Sequence, residues 1–164
     1  MKEDLTVLEI LGLAVRSEEE AAAFYGSLAE MIKNDLVRAR YESLAKEEVA
    51  HRQMLVALYR KMTGEKGAPP RIPGDPETAE GGRPPASQDS LEGLLKLAIE
   101  RERAAHDFYL RAASGAVEPT ARRIFEYLAD IERSHEDLIK TELDAYLRDS
   151  NWYAEKPDVQ LVGP

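Results

Sequence analysis

The 164-residue chain holds 22 Lys and Arg against 31 Asp and Glu, a formal net charge of -9, and contains no cysteine. The missing thiols exclude disulfides, zinc fingers and cysteine-ligated iron centres, so any metal must sit on carboxylate, imidazole or water. The acidic balance argues against a nucleic-acid or anionic-membrane partner and suits cation uptake, and no apolar run is long enough for a membrane span.

The first predicted helix covers residues 5–33. Leu8, Leu11, Val15, Ala22 and Ala29 recur at helical steps, and Thr6 and Glu9 fit a capping box at its start. Asn34-Asp35 reads as a short turn, with Asp35 the expected N-cap of a second helix that stops at Gly64. Residues 64–89 hold six of the nine prolines and five of the ten glycines, and read as a linker or long crossover. A third helix is expected from Ser90 to Gly115, and a fourth from Pro119 to about Asp149. Domain organisation is then a four-helix unit over 1–149 and a tail over 150–164, with Trp152 expected to pack against the helices.

Residues 5–61 align without a gap on residues 89–145, with 14 identities. These include Phe24/Phe108, Tyr25/Tyr109 and Leu44/Leu128. They also include Glu18/Glu102, Glu48/Glu132 and His51/His135. A shared helical period would match apolar positions, but not Glu, Tyr and His together; duplication of a helical hairpin is the simplest explanation. Glu18 lies 16 residues before Asn34, while Glu48 and His51 lie 14 and 17 after it. At 1.5 Å per residue all three stand roughly 24 Å from the turn. Glu-x-x-His places both side chains on one helical face. The 26 residues of the connection reach roughly 85 Å when extended, against about 42 Å for one of these helices, so they can return the chain along the whole bundle.

The expected fold is therefore all-α: a four-helix bundle of two duplicated hairpins joined by a long crossover. One Glu from each of two helices and Glu-x-x-His from each of the others is the arrangement that holds two metal ions in ferritin-like bundles. Four carboxylates offset two divalent cations, two of them can bridge, and the imidazoles favour iron or manganese over calcium or magnesium. The expected metal ligands are Glu18, Glu48, His51, Glu102, Glu132 and His135. Tyr25 and Tyr109 each lie two turns after the lone Glu, and either is a hydrogen-bond donor to a ligand carboxylate, a source of an electron, or simply core. His106 has Ala22 at its matching position, so it is expected to be exposed, and Glu19, Glu20, Glu47 and Glu100 mostly solvated.

The motifs Glu18-x-x-Ala21-x-x-Phe24-Tyr25, Glu48-x-x-His51, Glu102-x-x-Ala105-x-x-Phe108-Tyr109 and Glu132-x-x-His135 resemble the rubrerythrin branch of the ferritin-like superfamily. The resemblance implies a di-iron centre, with manganese or a mixed pair as other occupants. It implies reduction of hydrogen peroxide or dioxygen, or iron binding and storage without turnover at the same site. Bridging roles for Glu48 and Glu132, terminal roles for Glu18 and Glu102, a homodimer, a part in oxidative-stress defence and a cytoplasmic location follow from the same source. Two departures stand out. The rubredoxin domain that feeds electrons to the di-iron site is missing, so a separate electron-donor protein is expected. An extra carboxylate one turn from the third-helix ligand is missing too, for Ile99 and Ala105 stand there.

Overall fold

A computed structural model describes residues 5–72, 85 and 89–154. Four long helices, α1 (Val7–Met31), α2 (Asp35–Thr63), α3 (Leu91–Gly115) and α4 (Pro119–Arg148), are followed by a single turn, α5 (Asn151–Ala154). The described residues contain no strand.

Local chemistry sets the helix ends. The Thr6 hydroxyl accepts from the Glu9 amide while the Glu9 carboxylate accepts from the Thr6 amide at 2.8 Å, which closes the capping box of α1. The N-cap of α2 is Asn34, not Asp35. Its Oδ1 accepts from Leu36 N at 3.0 Å and Val37 N at 3.2 Å, and its extended backbone leaves Asp35 as the first helical residue, where a carboxylate favours the positive helix end. Gly64 ends α2 at φ 74°, a conformation that costs glycine no Cβ clash. Ser90 caps α3, and Glu118 caps α4 one residue before Pro119.

The helices pair as α1 with α2 and α3 with α4, and the hairpins then stack on each other. The apolar positions form two cores, one toward each end of the bundle. One joins Leu11, Ala14 and Val15 with Leu55 and Leu58, Tyr109 and Ala112, and Phe125 and Leu128. The other joins Tyr25 and Leu28 with Tyr41 and Leu44, Leu95 and Ala98, and Ile139. The start of α1 therefore lies beside the ends of α2 and α3, so the two hairpin turns sit at opposite ends. The connection leaves α2 across the start of α1, where the absence of a side chain on Gly12 admits the Pro70 carbonyl; a Cβ there would lie 2.7 Å from that oxygen.

The side chain of Trp152 lies outside the described residues. Tyr153 is buried in the second core, and its hydroxyl donates to the Glu142 carbonyl at 2.9 Å and to the Glu142 carboxylate.

Candidate metal centre

Heptad spacing places the ionisable residues inside. Leu11, Glu18 and Tyr25 fall on one stripe of α1, and Leu95, Glu102 and Tyr109 on the matching stripe of α3. In α2 the buried series Tyr41, Leu44, Glu48, His51, Leu55 runs at three- and four-residue steps, and in α4 Phe125, Leu128, Glu132, His135, Ile139 repeats it. Each stripe is apolar toward its ends and ionisable at its middle. The six side chains thus meet in a polar layer between the two apolar cores, each at 5 % exposure or less.

His51 Nδ1 lies 3.0 Å from Glu48 Oε2, 3.3 Å from Glu132 Oε1 and 3.5 Å from Glu18 Oε2. His135 Nδ1 lies 3.2 Å from Glu48 Oε1 and 3.5 Å from Glu102 Oε2 and Glu132 Oε2. The imidazole rings are near parallel, with centroids 5.8 Å apart. Two ligand sets result: Glu18, Glu48, His51, Glu132 and Glu48, Glu102, Glu132, His135, each with ligand atoms within 4.8 Å of one another. Glu48 and Glu132 belong to both sets, and Glu18 and Glu102 to one each. Each set could hold a cation, and Glu48 and Glu132 lie where both sets meet.

Hydrogen bonding within the protein leaves the cluster incomplete. Glu48 Oε1, Glu102 Oε2, Glu132 Oε1 and His135 Nδ1 are buried with no aligned hydrogen-bond partner; they approach one another without the angles a hydrogen bond requires. Buried carboxylates in such a state are costly, and cations are the partners that would satisfy them. The donor set fits two metal ions, with carboxylate and imidazole ligands of the kind that hold iron or manganese.

Electrostatics follow from the same crowding. Burial, then the charge of Glu132, pushes the Glu18 and Glu102 carboxyls well above the usual carboxylate range. Burial opposes ionisation of Glu48 as well, but the close approach of the His135 and His51 imidazoles outweighs it and holds Glu48 below that range. Burial would lower His51, yet the carboxylates of Glu132, Glu18 and Glu48 close around it push it up to about 12; His135 is raised by the same means.

The tyrosines reach across the bundle. Tyr25 OH donates to Glu102, and Tyr109 OH donates to Glu18, so each phenol holds the lone Glu of the opposite hairpin. Burial first, and then the carboxylate each one touches, raise both phenols well above their ordinary range and keep them protonated donors. Each ring also stacks on a core aromatic of its own hairpin half, Tyr25 on Tyr41 and Tyr109 on Phe125.

His106 is not in the cluster. It is half-buried rather than exposed, with Nδ1 2.8 Å from the Ala129 carbonyl. Ile99 lies in the second apolar core. Ala105 lines a cavity of about 10 Å³ between α1 and α3, beside Ser17, Arg101 and the ligand carboxylates, with room for about one water. Glu47 is half-exposed, and its carboxylate also meets His135 Nε2 at 3.1 Å. Sequence spacing carries no signal for that contact, because Glu47 lies about 100° around the helix from Glu48. Among the described residues no helix is long and apolar enough to cross a membrane.

A family model described as Rubrerythrin matches residues 9–143. The chain is 28 % identical over 134 residues to the uncharacterized protein YhjR of Bacillus subtilis (strain 168), covering 82 % of this chain and 84 % of that one. Among solved structures, a hypothetical protein from Pyrococcus furiosus is 30 % identical, with a TM-score of 0.77 over 90 % of this chain and 94 % of that one.

Proposed function

The chain belongs to the rubrerythrin family, and from that membership and the shared position of Glu48 and Glu132 in both ligand sets we propose that it is a di-iron oxidoreductase that reduces hydrogen peroxide or dioxygen. Glu18 and His51 would hold one iron, Glu102 and His135 the other, with Glu48 and Glu132 between them; manganese or a mixed pair suits the same ligands. Bound there, two ferrous ions would supply the electrons for the reduction. Hydrogen peroxide takes up two electrons and two protons and leaves as two waters.

The protein's own groups do the rest. The apolar cores above and below the site exclude water, so reacting groups meet fixed carboxylates rather than solvent. Tyr25 and Tyr109 fix the terminal carboxylates of Glu102 and Glu18 through their O–H bonds. They are the catalytic residues of this proposal: a phenol that supplied an electron to an oxidised metal pair would pass its proton along that same bond to the carboxylate oxygen. With no cysteine in the chain, re-reduction falls to a separate rubredoxin-like donor. A homodimer and a cytoplasmic setting complete the reading.

The test is anaerobic ferrous loading followed by stopped-flow absorbance with peroxide and with oxygen. The expected result is saturation at two irons per chain with faster oxidation by peroxide. Faster reaction with oxygen would make the chain an oxidase or ferroxidase. Oxidised iron that is handed on rather than re-reduced would make it an iron carrier or store. No saturable binding in Glu48→Ala is expected, and two tight irons in that variant would sink the assignment.

A further inference from the structure

The duplication is broken beside one of the two ligand sets. Each hairpin supplies one Glu-x-x-His, at positions offset by 84 residues. On that offset Glu47, just before Glu48, corresponds to Ile131, just before Glu132. Glu47 extends from α2 to α4 and accepts from the Nε2–H of His135 at 3.1 Å. The matching position in α4, Ile131, is aliphatic and can accept nothing. His135 presents its other nitrogen, Nδ1, to Glu48, Glu102 and Glu132.

We propose that Glu47 is a positioning residue that makes the two metal positions unequal: through His135 it favours the ion held by Glu102 and His135, which fills first. This rests on the reading of the cluster as a two-ion site. The physical basis is general. A carboxylate on the far nitrogen of a ligand imidazole fixes its tautomer and ring orientation and makes the near nitrogen a better donor, typically worth about 10- to 100-fold in metal affinity. His51 has no counterpart of Glu47 at the matching position, so its ion is the weaker one and the first to leave. An oxidoreductase gains a defined order of loading and two irons of different electron richness. Half-exposed Glu47 sits at the rim, so its substitution leaves both apolar cores intact.

The test is cobalt(II) titration of the full chain, followed by visible absorbance and by the hyperfine-shifted imidazole N–H resonances. The wild type is expected to take up two ions in two steps, with a single shifted imidazole N–H, that of His135, growing during the first. Glu47→Ala should weaken the first step about 10-fold or more, so that the two steps merge, while the thermal midpoint of the metal-free protein is unchanged. Glu47→Gln, which keeps an acceptor without the charge, should recover part of the loss. Ile131→Glu should tighten the second step. An unaltered isotherm in Glu47→Ala, with two ions still bound, would overturn the inference and leave the two-ion reading standing. A wild type that takes up no cobalt would overturn both.

Discussion

Metal uptake should expel protons, and the number is set by the cluster. In the metal-free protein the Nδ1 atoms of His51 and His135 face the ligand carboxylates at 3.0–3.5 Å, and His51 stays protonated to about 12. A cation needs the lone pair that this proton occupies, so loading both positions at neutral pH displaces two protons from the imidazoles. Glu18 and Glu102 are also raised, by burial and by Glu132, and each that is protonated adds one more. The expected release is therefore two to four protons per two ions. Protons compete with the metal, so binding strengthens as pH rises. Each proton released contributes a factor of ten per pH unit, about 1.4 kcal/mol. Lowering the pH from 7 to 6 should weaken the overall two-ion constant by about 10² to 10⁴, or about 2.7–5.4 kcal/mol. Calorimetric titration with manganese(II), which avoids oxidation chemistry, reads this directly when repeated in buffers of different ionisation enthalpy. An apparent enthalpy independent of buffer, or a constant that does not fall between pH 7 and 6, would refute the protonation pattern argued here.

Removing either cross-hairpin phenol should loosen the bundle without dismantling the ligand sets. Tyr25→Phe and Tyr109→Phe each delete a buried hydrogen bond to a carboxylate, expected to cost about 1.5–3 kcal/mol in the metal-free protein; a denaturant midpoint equal to wild type would contradict that. Gly12→Ala places a Cβ 2.7 Å from the Pro70 carbonyl and should cost about 1–3 kcal/mol by overpacking, with protease cleavage after Thr63 accelerated; unchanged cleavage would show that the connection yields freely. Asn34→Ala should cost about 1 kcal/mol through the lost cap, whereas Asp35→Ala should cost less, and thermal melts of the two variants rank them.

The six metal-binding candidates were legible because helical spacing is local: three-residue steps and equal distance from a turn determine which residues share a layer. What spacing cannot encode is which helix lies across from which. The partner of Tyr25 is Glu102, 77 residues away, and nothing within α1 distinguishes that carboxylate from Glu18. Glu47 was unreadable for the same reason, since its contact exists only because α4 passes beside α2. The cap of α2 was misplaced by one residue because Asn34 and Asp35 are adjacent and both suit that role. The burial of Tyr153 was not legible, for a short aromatic pair beyond the last helix has no period to show that this ring turns inward.

Duplication poses a pairing problem that the sequence resolves with charge. Two similar hairpins offer α1 two related partners, α2 and α4, and the apolar stripes of those helices match closely. At corresponding positions the ion pairs are reversed. Glu19 of α1 meets Arg52 of α2 at 2.7 Å, whereas Arg103 of α3 meets Glu136 of α4 at 2.8 Å. On the offset of 84, Glu19 corresponds to Arg103 and Arg52 to Glu136. If α1 paired with α4 in the register it keeps with α2, Glu19 would face Glu136 and Arg52 would face Arg103. Both native pairs would become like-charge contacts, and Glu136 has no solvent to fall back on, since its side chain is fully covered. Burial alone would raise that carboxyl, but Lys140 and Arg103 hold it below the usual range, so it stays a charge that demands a cation. The candidate metal ligands are alike in the two halves, as two similar ions would require. The residues beside them are free to differ, and at 19/103 and 52/136 the difference favours pairing within each hairpin.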